Sequence, residues 1–171
     1  MTNHDTIIQK ITANWQVFEA LLAGLDPAET SWKPPGGQWS LLEIVCHLLD
    51  EEREDFRARV MHVLDTPDLP MPSIDSEGWV TSREYSSQNF DEKLAMFLEE
   101  RASSVMWLQS LKAAPWDNAY QHPVMGPLPA SLFLSNWLAH DYHHIRQINR
   151  VKYEYLQWNL TSDSLAYAGK W

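Results

Sequence analysis

The sequence predicts an all-α fold, a four-helix bundle with a long connection between its second and third helices. Three observations carry this. Apolar residues recur at three- and four-residue spacings in four long stretches. Prolines and glycines cluster in the breaks between those stretches. Nine Trp and only six Gly among 171 residues suit aromatic-packed helices better than a strand-rich fold with many tight turns. The length allows one sizeable core, no repeat stands out at the roughly 20 to 50 residue periods of solenoids, and residues 1–171 read as a single domain.

The first helix carries Ile7, Ile8, Ile11, Trp15, Phe18, Leu22 and Leu25, with Asp5 as its expected cap and Gly24 and the Asp26-Pro27 pair as its end. After Pro34, Pro35, Gly36 and Gly37, Ser40 and Glu43 have the spacing of a capping box. It opens a second helix over about residues 41–64. Leu41, Ile44, Val45, Leu48, Leu49 and Phe56 form its core wall, and the run from Glu51 to Arg57 reads as a wet, charged continuation. Residues 66–88 hold Pro67, Pro70, Pro72 and Gly78 and read as a surface connection with a helical turn around Trp79. Asn89, with Glu92 three positions on, caps a third helix bearing Phe90, Leu94, Phe97, Leu98, Ala102, Val105, Leu108 and Leu111, and Pro115 is its expected stop. A loop with Pro123, Gly126, Pro127 and Pro129 precedes a fourth helix over about residues 130–151. The last segment, with Tyr153, Tyr155, Leu156, Trp158, Tyr167 and Trp171, is too aromatic for a free tail and should pack on something.

Composition narrows function. A formal net charge of −10 disfavours nucleic acid and anionic membrane surfaces as partners. No apolar stretch approaches the roughly 20 residues that span a bilayer. The single Cys46 forms no internal disulfide, and no secretory signal follows Met1, so a cytoplasmic location is expected.

The inward series of the fourth helix runs Phe133, Trp137, His140, His144, Ile148, Val151. Two histidines one turn apart, with Cβ atoms about 5–6 Å apart, can converge on one ion. His47, beside Ile44 and Leu48 on the second helix, is the candidate third ligand. Asp50 and Glu51 follow it at i+3 and i+4, where either carboxylate could accept the remaining imidazole N–H or handle a proton. Spacing alone fits partly buried histidines bonded to polar neighbours better than a shared metal site. His143 lies about 60° around the axis from His140 and reads as a flanking or surface residue. Asp141 points away from the His140 face and has the apolar Ile145 at i+4, so a charged partner would have to come from another helix. Gln147 reads as an interhelical hydrogen-bonding residue, and Cys46, about 100° from His47, as a buried apolar thiol.

The segment Gly37-Gln38-Trp39-Ser40-Leu41-Leu42-Glu43-Ile44-Val45-Cys46-His47-Leu48, together with Leu138-Ala139-His140-Asp141-Tyr142-His143-His144-Ile145-Arg146-Gln147-Ile148, resembles the DinB-like superfamily. The resemblance implies a bundle, often dimeric, that holds a divalent metal with one His of the second helix and a His-x-x-x-His pair of the last, here His47, His140 and His144. Imidazole ligands suit a borderline ion, Zn²⁺ or Ni²⁺, better than Mg²⁺. Characterised members include transferases and an isomerase that use low-molecular-weight thiols such as bacillithiol, mycothiol or glutathione. The resemblance therefore implies a homodimeric, metal-dependent thiol transferase acting on a small electrophile. A non-catalytic metal-binding or stress-response protein and a metal-dependent hydrolase are the alternatives.

Overall fold

A computed structural model describes residues 3–169 and Trp171. The first helix, α1 (Asn3–Leu22), starts before Asp5, which sits in its first turn rather than at the cap and there complements the helix dipole. Gly24 turns the chain with φ 71°. The Asp26-Pro27 pair, expected only as a stop, begins a short helix, α2 (Pro27–Ser31): the Asp26 carboxylate accepts from the Ala28 amide at 2.7 Å, with Pro27 at the first helical position.

The capping box at Ser40 and Glu43 forms in both directions, at 3.2 and 2.9 Å, and opens α3 (Leu41–Glu51). A π-helical turn over Glu52–Phe56 joins it to α4 (Arg57–Asp65). The charged run is therefore not uniformly wet: Glu51 and Glu52 are only 4% and 1% exposed. A π turn is a common mark of a functional segment in a helix, because it re-aims side chains on either side of it.

The connection over residues 66–89 docks on the bundle rather than floating over it. It contains α5 (Ser76–Ser82), capped by Asp75, and a 3₁₀ turn at Tyr85–Ser87. Trp79 and Tyr85 pack there against Leu42 and Cys46. The next helix, α6 (Phe90–Ser110), starts on the expected Asn89 cap, whose side chain accepts from the Glu92 amide at 2.9 Å. It ends before Pro115: Leu111 leaves the helical region with ψ 88°, and Ala113 then turns left-handed with φ 54°. The proline-rich loop that follows is in fact a β-hairpin, β1 (Ala119–His122) and β2 (Gly126–Pro129), paired His122 to Gly126 through Ala119 to Pro129. Its strands are too short, and β2 too rich in proline, to show an alternating pattern.

The last long helix, α7 (Ala130–Asn159), continues past residue 151. Tyr155 and Trp158 pack on Trp32, at ring separations of 5.6 and 5.9 Å, and Lys152 donates to the Leu21 carbonyl at 2.6 Å. Trp171 stacks on Tyr153 at 4.7 Å, whereas Tyr167 is fully exposed. Among the described residues no helix is long and apolar enough to cross a membrane.

Two core clusters give the helix directions. One holds Phe18 and Leu22 of α1, Leu41 to Leu49 of α3, Leu94 and Phe97 of α6, and Ile148 and Val151 of α7. The other holds Ile7 to Ile11, Phe56 and Val60, Val105 and Leu108, and Leu134 to Leu138. Thus α1 and α7 run one way, and α3–α4 and α6 the other, an up-down-down-up bundle in which the second and third long helices are parallel. That is what demands the long connection between them. Midway between the clusters lie buried polar residues, among them Asn14 of α1, Glu52 of the π turn, Arg101 of α6 and Asp141 of α7.

Candidate metal centre

His47 of α3 and His140 and His144 of α7 come together on one side of this polar layer. The His140 Nε2 atom lies 3.3 Å from that of His47 and 3.0 Å from that of His144. Trp39 packs on the His47 ring and Phe56 on the His140 ring, each at 4.8 Å between centroids, which restricts ring rotation. Burial holds all three imidazoles neutral at physiological pH. It pushes His47 down to about 4, His140 to about 2 and His144 to about 3, with the neighbouring histidines adding to the effect.

The donor set fits a divalent cation. The Gln147 side-chain oxygen lies 2.7 Å from His144 Nδ1 and accepts its proton, which leaves His144 Nε2 as a lone pair. A neutral His140 has at most one proton to offer at Nε2, yet two imidazole Nε2 atoms face it. Hydrogen bonding among the rings can therefore satisfy one of these contacts but not both, whichever nitrogens of His47 and His140 carry the protons. Two ligand nitrogens at bonds of about 2.0–2.1 Å and tetrahedral angles stand about 3.3 Å apart, close to the two separations from His140, and one ligand atom from each of the three rings lies within 4.8 Å of the others. His47 Nδ1 is buried without a hydrogen-bond partner, 4.0 Å from Glu51 Oε1.

The histidines form one wall of an open cavity of about 570 Å³, lined also by the loop at Gly37 to Trp39, by Glu51 and Asp55, and by Ser76 and Glu77 at the start of α5. Glu51 is thus beside the site as its spacing suggested. Burial, reinforced by a hydrogen bond to Asp55 and by that residue's charge, pushes its carboxyl up to about 8. Asp50 is a correction: it turns to the other side of α3, where it accepts from the Tyr85 hydroxyl at 2.6 Å and pairs with Arg83 at 2.9 Å. The 100° step between consecutive helical residues gives only one of the two carboxylates to the cavity. His143 is exposed and lines the cavity rim. Cys46 is buried against Tyr85, and burial pushes its thiol up to about 12.

The sequence reading left Asp141 without its partners. Its carboxylate is fully buried and takes both terminal nitrogens of Arg101 at 2.7 Å, and the Asn14 amide at 3.0 Å. Arg101 also reaches Glu52 at 2.8 Å, and the Trp137 indole donates to the same carboxylate at 3.1 Å. Arg101 falls on the apolar stripe of α6, between Phe97 and Val105, and that misplaced cation was the available signal. By tying α7 to α1 and α6 one residue from His140, this network fixes the rotation that aims His140 and His144 at His47.

Comparison with known proteins agrees with this architecture. YfiT from Bacillus subtilis, described as a probable metal-dependent hydrolase with an unusual four-helix bundle topology, superposes with a TM-score of 0.75 over 88% of this chain and 87% of its own, at 17% identity. No curated protein sequence matches the chain. The sequence profile of the DinB superfamily matches residues 10–148, and the chain belongs to that superfamily.

Proposed function

We propose that the protein is a metal-dependent enzyme that joins an externally supplied low-molecular-weight thiol to a small electrophile. The observation that carries this reading is the convergence of three neutral imidazoles on the wall of an open cavity that has no evident protein nucleophile of its own. Cys46 lies outside that cavity, and Ser76 is engaged with the Glu51 carboxyl. His47, His140 and His144 would hold the ion, Zn²⁺ or Ni²⁺, which when bound supplies the Lewis acidity that makes a thiol or water nucleophilic at neutral pH. Gln147 keeps the lone pair of His144 directed into the site. Glu51 is placed to handle a proton beside the incoming thiol, and Trp39 and Phe56 exclude water from the flanks of the rings.

Hydrolysis is the second reading. It is favoured by the Glu51 carboxyl, which is placed equally well to handle a proton beside a water nucleophile, and by the description of YfiT. A panel of bacterial thiols with a reactive aryl halide, run beside an ester without thiol, separates the two. Thiol-dependent conjugation abolished by chelation and in His144→Ala supports the transferase. Turnover of the ester with water alone supports the hydrolase, and no turnover by metal-loaded protein supports a non-catalytic metal-binding or stress-response role. The exposed Trp158, Trp171 and Tyr167 also favour a homodimer, which light scattering at micromolar concentration tests against a monomer.

A further inference from the structure

A second cavity, of about 640 Å³, adjoins the metal-centre cavity and shares Asp55, Phe56, His140 and His143 with it. Its outer walls have a different character. They come from the β-hairpin, through Met125 and Leu128, and from the first turns of α7, through Leu132 and Phe133. Arg59 is the one formal cation on these walls, and it is paired with Asp55 and lies 5.9 Å from the Phe133 ring. The charges on the walls therefore cancel, and the rest of the surface is largely apolar.

The hairpin wall is built rather than loose. Gly126 closes a three-residue loop with φ 77°, a conformation costly for other residues. The His122 ring nitrogen Nδ1 accepts from the Val124 and Met125 amides at 3.2 and 3.1 Å, which sets the tip. Asn118 donates to the Leu64 carbonyl at 3.2 Å, and Tyr120 packs on His62, so the base of the hairpin is tied to α4. Met125 nevertheless stands 68% exposed and Leu132 39%, a cost in apolar surface that nothing in the fold requires.

We propose that this second cavity binds the apolar body of an uncharged organic substrate and presents its reactive end at His140, while the polar cavity beside it receives the nucleophile. The selection rule follows from the walls: an aromatic or branched aliphatic molecule fits, and a sugar phosphate or free amino acid does not, because no unpaired charge is available to hold it. The inference deepens the enzymatic reading given above and rests on it for the reaction, though not for the binding.

The test is a fluorescence titration of metal-free protein with N-phenyl-1-naphthylamine, a neutral apolar probe. One saturable site per chain is expected, weakened about tenfold or more in Met125→Glu and in Leu132→Glu, both of which alter exposed positions. Leu156→Glu, on the far part of α7, should leave the titration unchanged. In cobalt-loaded wild-type protein the bound probe should be quenched by the nearby ion. Unchanged binding in both groove variants, loss in Leu156→Glu instead, or an unquenched probe in protein that retains cobalt would each overturn the proposal. So would conversion of a dimer to a monomer by Leu132→Glu, which would make the groove a subunit contact. Failure to retain cobalt would refute the metal reading alone, since the metal-free titration still decides the groove.

Discussion

The bundle buries two polar clusters at the same level, and they are built on opposite principles. Around Asp141, every long helix contributes a residue, and the charges are complementary: a guanidinium is set between two carboxylates and joined by an amide and an indole. Around His140, one residue earlier in the chain, three imidazole nitrogens face one another and hydrogen bonds among them can satisfy only one of the two close contacts. The first cluster is closed in that it pairs its charged groups internally, although Glu52 Oε1 and Arg101 Nε are buried without a hydrogen-bond partner. The second is closed only by a cation. A buried polar group therefore says little until its partners are counted, because the same degree of burial marks a brace in one case and a ligand site in the other.

The largest effect should come from the closed cluster. Replacing Arg101 with Leu leaves two carboxylates facing each other in the core and should destabilise the fold by about 3–5 kcal/mol in urea unfolding. His144→Ala removes a buried, neutral and imperfectly satisfied ring, and should cost the metal-free protein far less. Equal losses in the two variants would erase the distinction between the clusters.

Acid should act on the open cluster. The imidazoles are held below their usual value of 6.5, so below that pH the unfolded chain binds protons that the folded chain refuses. Stability of the metal-free protein should fall as pH drops from about 6.5 toward the folded-state values of about 4, 3 and 2. His140→Gln should show a shallower fall over the same window. Identical pH profiles for the two proteins would show that the rings are not desolvated as described.

A smaller effect is expected at Gln147. Its replacement by Leu releases the His144 tautomer without removing a ligand, and should weaken metal affinity about 10- to 100-fold while leaving unfolding of the metal-free protein nearly unchanged. Competition with a chromogenic chelator measures this directly.

Much of this organisation is legible in the sequence because it is local. The Ser40 and Asn89 caps, the helical turn at Trp79 and the shared face of His140 and His144 depend on residues three or four apart. The closed cluster is invisible for the complementary reason: Asp141 meets Arg101 and Asn14 across helices, and no periodicity announces that pairing. The π turn at Glu52–Phe56 breaks the 3.6-residue period on which the wet reading of that segment relied, and so Glu52 turns inward. Asp50 and Glu51 looked interchangeable as carboxylates near His47, and only the docking of Tyr85 and Arg83 on the other side of α3 separates them.

The central claim is that His47, His140 and His144 form one cation site, and elemental analysis of purified protein tests it most directly. Wild-type protein should carry about one divalent transition-metal ion per chain, and His47→Ala, His140→Ala and His144→Ala should each lose it while remaining folded by circular dichroism. Undiminished metal in all three variants, or a folded wild-type protein that takes up no zinc or nickel at micromolar concentration, would contradict the account.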